Sequence, residues 1–148
     1  MSRDEAARVV AGTPGDGDNW AAGFPRQDDR DGSAALASAA ADPGPYGNYR
    51  IVVLARRQTI GTAGFYGPPD EAGQVTIGYG LVDHEWGNGY GTAAVAGLIE
   101  VCRRRGGVST ILADTDQDNI ASQRVLRKNG FEHVRTTGES CYFELKLS

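Results

Sequence analysis

At 148 residues, 40% apolar and 23% charged, the chain has the size and composition of one globular domain with a real core. No run approaches the ~18 apolar residues that a membrane span needs, and no signal-peptide core opens the chain, so the expectation is a cytoplasmic protein without a membrane partner. A net charge of −4 argues against general nucleic-acid binding, which relies on clustered Lys and Arg.

The charge is unevenly placed. Residues 1–48 hold eight acids and four bases, whereas residues 49–148 hold eleven of each. Cys102 and Cys141 have no metal-ligand spacing and are expected as reduced, buried thiols; no metal site is expected. Thirteen arginines against two lysines fit a GC-rich bacterial coding sequence and carry no functional weight.

In chain order, residues 2–11 read as a short helix, with Ser2 and Glu5 as a capping box and Gly12 as the stop. Residues 12–32 are a long loop rich in Gly, Pro and Asp, ordered around Trp20 and Phe24. Residues 33–41 form a weak Ala-rich helix ended by Asp42-Pro43-Gly44-Pro45. Three strand-like runs follow at 49–55, 59–66 and 74–82, separated by turn formers, and read as an antiparallel meander. A helix is expected from 90 to 105, with Val95, Leu98, Ile99 and Cys102 inward and Gly106-Gly107 as its stop. A strand at 108–114, a helix capped by Asp118 or Asn119 and ending at Asn129-Gly130, and a hairpin of 131–137 and 141–147 close the chain.

The chemistry concentrates in Trp86-Gly87-Asn88-Gly89-Tyr90-Gly91-Thr92, with glycine at every other position between a strand and a helix. Such a loop turns several backbone N–H groups to one point at the positive end of a helix dipole, a ready anion site. The strand before it places Thr76, Gly78 and Gly80 on one face, and two glycines there favour a ligand groove over tight packing. Gly61 alone is better explained by packing. A P-loop is ruled out, because no Lys follows the glycines. A dinucleotide fingerprint would use Gly87 and Gly89 with Asp114 on the ribose, but Thr92 stands at its third glycine and a meander precedes it. It remains a distant alternative.

The pattern x-x-Gly-x-Gly, entered from a strand and opening a helix, resembles the pyrophosphate loop of the GNAT acyl-CoA N-acyltransferases. The stretch from Ile77-Gly78-Tyr79-Gly80-Leu81 to Gly91-Thr92 resembles the branch of ribosomal-protein N-terminal acetyltransferases. A second match follows in register at Asn119-Ile120-Ala121-Ser122, then Leu126, Lys128, Asn129, Gly130 and Phe131. The resemblance implies an α/β (α+β) GNAT fold filling residues 1–148, its mixed, mostly antiparallel sheet splayed between two parallel strands. Residues 1–48 would be the helical acceptor side and 49–148 the acyl-CoA-binding core. It implies acetyl-CoA as donor, direct attack by a primary amine, and a small amine or a protein N-terminus as acceptor.

On that resemblance the strands at 74–82 and 108–114 part to admit the pantetheine arm, which bonds the backbone at Leu81 and Val82, where an N–H is also the oxyanion donor. The N–H groups from Gly87 to Thr92 hold the pyrophosphate, Trp86 lies toward the adenosine or covers the core, and Lys128 meets the 3′-phosphate. Asn119 and Ser122 contact pantetheine or sulfur. The usual acid tyrosine of the helix after the Asn motif is replaced by Leu126, leaving Ser122 as substitute, and Thr76 stands where relatives place a Glu. Glu139 is the first choice of general base, followed by Asp114, Glu71, Glu85 and His84. Trp20, Phe24, Asp114 and Tyr142 are expected at the acceptor, with Asp16, Asp18, Asp28, Asp29 and Asp31 drawing in a cationic amine. The family's first strand has no counterpart ahead of the first helix: either the sheet lacks it, leaving an edge that a second copy in a homodimer would cover, or the true start lies upstream. A non-catalytic acyl-CoA sensor is the alternative function.

Overall fold

The computed structural model describes residues 1–40 and 43–147, so the end of the expected helix at 41–42 lies outside the described residues. Helix α1 (Arg3–Ala11) starts at the expected capping box, with the Ser2 hydroxyl accepting from the Glu5 N–H, and stops at Gly12 in the left-handed region, φ 70°. Strands β1 (Asn48–Val53), β2 (Gln58–Phe65) and β3 (Gln74–Leu81) form the expected meander. Helix α3 (Tyr90–Arg105) buries Val95, Leu98, Ile99 and Cys102 as read. Strand β4 (Thr110–Asp116), helix α4 (Ile120–Lys128) and the hairpin of β5 (Glu132–Thr137) with β6 (Ser140–Lys146) complete the order.

Helix α2 departs from the expectation. It spans Gln27–Ala37, beginning within the stretch read as loop. Its first turn is set by Asp29, whose carboxylate accepts from the Arg26 backbone N–H at 2.9 Å and from the Arg26 guanidinium at 3.0 and 2.9 Å. That clamp outweighs the poor helix propensity of Gly32 and the paired aspartates. Asp29 is completely buried and takes a third donor, the Thr62 hydroxyl of β2, at 2.6 Å.

The six strands lie in the order β1-β2-β3-β4-β6-β5, and only β3 and β4 are parallel neighbours. A dinucleotide fold would need a parallel sheet here, which removes that alternative. Thr62 and Gly80, paired across β2 and β3, face α2; Tyr79 and Leu81, one residue to either side, face α3. Ile60, Ile77, Ile111, Val95, Leu126 and Phe143 form the fully buried centre. Cys102 and Cys141 are free and buried, and desolvation pushes the Cys102 thiol up to about 11.

The loop between α1 and α2 is ordered by the sheet. Asn19 and Ala21 exchange backbone bonds with Thr59 at 2.8 and 2.9 Å, and Trp20 stacks edge-on against Phe24 at 5.3 Å. Arg8 binds Asp18 at 2.6 Å and holds its carboxyl below the ordinary 3.8. This pair stabilises the fold above the unfolded pKa of Asp18 and is lost as pH falls through the lowered folded value. Asp18→Asn therefore flattens the acid limb of stability against pH, measured by denaturant midpoints from pH 6 down to pH 2. Removing the buried carboxylate is more severe. Asp29→Ala leaves the Arg26 guanidinium and Thr62 without their partner and should cost about 3 kcal/mol in urea unfolding, with Thr62→Val costing about 1 kcal/mol.

Candidate active site

Two geometric facts make the site. The β3–β4 pairing runs from Gln74/Thr110 to Ile77/Ala113 and stops, although β3 continues to Leu81 and β4 to Asp116. Beyond that point the two parallel strands part. Val82 donates its N–H to Ile60 at 2.9 Å, so alternation along the antiparallel β2–β3 ladder turns the N–H groups of Tyr79 and Leu81 away from β2, toward the gap. The expected backbone contact at Val82 is thereby corrected: its N–H is spent on β2, and Tyr79 and Leu81 carry the groups that face the opening.

The second fact is the start of α3. Gly87 and Gly89 both sit at φ 83°, where a side chain is strained, and open space lies above both. Gly89 is the N-cap residue and gives no side-chain cap. Its carbonyl accepts the first helical bond from Ala93, so the N–H groups of Tyr90, Gly91 and Thr92 precede the ladder. The loop is fixed from both sides. The Trp86 indole N–H donates to the Leu81 carbonyl at 3.0 Å, and the Asn88 amide donates to the Glu85 carbonyl at 3.3 Å. Glu85 is buried and paired with Arg56 of the β1–β2 turn.

Helix α4 closes the site. Asn119 caps it by accepting from the Ser122 N–H at 3.0 Å, and the Asn129 amide donates to the Thr92 carbonyl at 3.2 Å, tying its end to the first turn of α3. A cleft of about 330 Å³ is lined by Leu81, Trp86, Gly87, Gly89, Tyr90, Gly91, Thr92, Asn119, Ser122, Arg124 and Lys128. Asn88 and Val82 are outside that lining. A second cleft of about 580 Å³ opens over the other face of β3, between α2 and the free ends of β3 and β4, and holds Asp28, Asp31, Tyr66, Asp114 and Asp116. Arg26, Asp28, Tyr79, Gly80, Asn119 and Ser122 line both and mark their junction.

Gly78 and Gly80 line the larger cleft, and Gly80 lines both, but Arg26 and Tyr66 stand directly over them. A side chain at Gly80 would collide with the Arg26 guanidinium, and one at Gly78 would meet the Tyr66 hydroxyl at 2.7 Å. Gly61 is a packing glycine as read, since a side chain there would strike the Gly80 carbonyl.

Several expected acceptor residues lie elsewhere. Trp20 and Phe24 are packing residues of the core rather than cleft residues. Tyr142 stacks under the Arg135 guanidinium at 4.3 Å, and Glu139 is exposed on the closing turn; neither lines a cleft. Asp18 and Asp29 are committed to Arg8 and Arg26, and of the five aspartates expected to draw in an amine, Asp28 and Asp31 are the two that line these clefts. Asp114 is in place. Among the described residues no cluster could hold a metal ion.

A family model described as "Acetyltransferase (GNAT) domain" matches residues 2–132. The chain belongs to the GNAT acetyltransferase family. The uncharacterized N-acetyltransferase YjdG of Bacillus subtilis is 35% identical over 86 residues, which are 58% of this chain and 51% of that protein. YoaA of the same organism is 32% identical over 76 residues, 51% of this chain and 43% of that protein. The chain thus spans about half the length of the curated relatives it matches. Among solved structures, a GNAT acetyltransferase from Bacillus anthracis superposes with a TM-score of 0.64 at 16% identity, covering 83% of this chain and 75% of that one. The ribosomal-protein-alanine N-acetyltransferase of Brucella melitensis gives 0.55 at 24% identity, covering 65% and 67%. RimL, a ribosomal L7/L12 N-protein acetyltransferase solved with coenzyme A, gives 0.56 at 20%, covering 62% and 57%. These likenesses show the GNAT fold.

Sequence reasoning missed Tyr79 and Arg26 in this GNAT site. Tyr79 lies on the strand face opposite Gly78 and Gly80, to which no role was assigned, and Arg26 lies in the stretch expected as loop. An Arg three residues before an Asp at a helix start was the available signal for the second.

The positive φ at Gly89 and the open space above it give a sharp test. Gly89→Glu places a bulky anion over the N–H groups of α3 and should abolish coenzyme A binding in isothermal titration. Stability should fall by about 1 kcal/mol from backbone strain alone, a loss that Gly89→Ala shares.

Proposed function

We propose that the chain is an acetyl-CoA-dependent N-acetyltransferase acting on a primary amine that carries or neighbours positive charge. The observation that carries this reading is the parting of β3 and β4 next to the open N-terminus of α3, with both bordering one cleft. The pyrophosphate would lie on the N–H groups of Tyr90, Gly91 and Thr92, within reach of no acidic residue in that first turn. Arg124 and Lys128 on the same cleft suit the adenosine 3′-phosphate. The pantetheine amides would complete the ladder that β4 abandons, using the free edge at Tyr79 and Leu81, and an N–H there would receive the negative charge that develops on the acyl oxygen.

The acceptor would enter through the larger cleft. Its carboxylates, Asp28, Asp31, Asp114 and Asp116, outnumber its single Arg26, whose charge is already matched by Asp29. Such a lining favours a cationic amine, as a small polyamine-like molecule or as the N-terminus of a basic peptide. Asp114, at the parting of the strands, replaces Glu139 as the group to take the ammonium proton, directly or through water. Asp28 and Asp31 would orient the amine rather than deprotonate it.

Thermal shifts with coenzyme A, acetyl-CoA and NAD test the donor. Saturating the site at 100 times Kd should add about 2.7 kcal/mol of stability for the first two and none for NAD, and a shift with NAD alone would sink the reading. Thiol release from acetyl-CoA across an amine panel tests the reaction. Turnover should favour acceptors with more than one positive charge, Asp114→Asn should lower kcat about 10²-fold, and Asp28→Asn should mainly raise the acceptor KM. Coenzyme A binding with no turnover for any amine would favour a sensing module instead.

A further inference from the structure

The tyrosine absent from α4 has a counterpart on β3. The Tyr79 ring lies between α3 and α4: its Cε2 stands 3.4 Å from where a Cβ on Gly91 would lie, an ordinary packing distance, and its hydroxyl reaches Ser122 Oγ at 2.9 Å. The Ser122 carbonyl lies 3.4 Å from the same hydroxyl, a longer and weaker contact. A phenol is a far stronger acid than an aliphatic alcohol, so Tyr79 donates to Ser122 Oγ and leaves the Ser122 proton free to point elsewhere. The Ser122 backbone N–H is already taken by Asn119, which fixes the serine at the first turn of α4. Both side chains line both clefts, at the junction where donor and acceptor must meet.

Taking Ser122 as the donor to the departing thiolate that the resemblance already implies, we propose that Tyr79 positions and recharges it, so that the two form a proton relay. This rests on the acetyltransferase reading above. As the amine nitrogen bonds the acyl carbon, the carbon–sulfur bond breaks and its electron pair stays on sulfur. The sulfur takes the Ser122 Oγ proton, and Ser122 Oγ takes the phenolic proton of Tyr79. The proton released by the acceptor nitrogen returns through water to the phenolate, which closes the balance. Burial raises the Tyr79 pKa above its ordinary 10.0, against a smaller lowering by the Ser122 bond, so the relay stands loaded at neutral pH.

The relay can be read without knowing the acceptor, from the ionisation of the coenzyme A thiol in its complex with the protein. Hydroxyl donation to sulfur favours the thiolate. Ultraviolet titration of the bound thiolate should therefore show an ionisation constant roughly tenfold lower in Tyr79→Phe and in Ser122→Ala than in the unaltered protein, with little change in coenzyme A Kd. The double variant should be no worse than Ser122→Ala, and Ser122→Thr, which keeps the hydroxyl, should restore the original value. An unchanged thiol ionisation in both single variants, with coenzyme A still bound, overturns the relay and leaves the acetyltransferase reading standing. A protein that binds no coenzyme A at all overturns that reading and the relay with it. If Tyr79→Phe does not fold, the partly exposed Ser122→Ala decides alone.

Discussion

The site depends on a hydrogen-bond ladder that stops early. Parallel strands β3 and β4 are joined from Gln74/Thr110 to Ile77/Ala113, then diverge while each keeps its outer partner, β2 for one and β6 for the other. Backbone N–H and C=O groups at an internal sheet edge are costly unless something bonds them. The fold places this edge against a cleft, so a molecule able to pair with backbone completes the sheet on binding. Neither strand can close the gap alone. β4 is held by its antiparallel pairing to β6 as far as Asp116/Ser140, and the Gln123 amide, donating to the Gln117 carbonyl at 2.9 Å, fixes the turn beyond it.

Charge holds the flanks of the opening. Asp29, fully buried, is tolerable only because three groups donate to it, and together they lock α2 to β2 and lay the Arg26 guanidinium across Gly80. On the far side Glu85 is buried just ahead of the glycine loop and is neutralised by Arg56. An unpaired carboxylate there would oppose any anion at α3. The two ion pairs therefore do different work: one seats α2 on the sheet, and the other removes a free negative charge ahead of α3.

Much of this was legible in the residues. Glycine spacing marked the start of α3 and the Asn119–Gly130 run marked α4 with its cap, because each needs particular residue types at fixed separations, while the parting strands came with the family resemblance. The acceptor side was not legible in the same way. Trp20, Phe24 and Tyr142 are amphipathic aromatics whose sequence context is the same in a pocket or in a core. Only the tertiary arrangement puts Trp20 on Phe24 and Tyr142 under Arg135. The start of α2 was hidden for a related reason: Asp28, Asp29, Asp31 and Gly32 argue locally against a helix, and the contacts that override them come from Arg26 and from Thr62, thirty-three residues away.

Tyr79 shows how one strand serves two chemistries. Side chains along β3 alternate between faces, so Gly78 and Gly80 meet Tyr66 and Arg26 on the α2 side while Tyr79 and Leu81 meet α3. The backbone between them is common to both. In the proposed complex, a donor held by the N–H groups of Tyr79 and Leu81 would present its acyl carbon where the two clefts join, beside the Tyr79 and Ser122 hydroxyls and open to the acidic cleft. Inward alternation that reads as core along most of a strand acquires another meaning where the neighbouring strand peels away, because an inward side chain there faces a cleft instead of a partner.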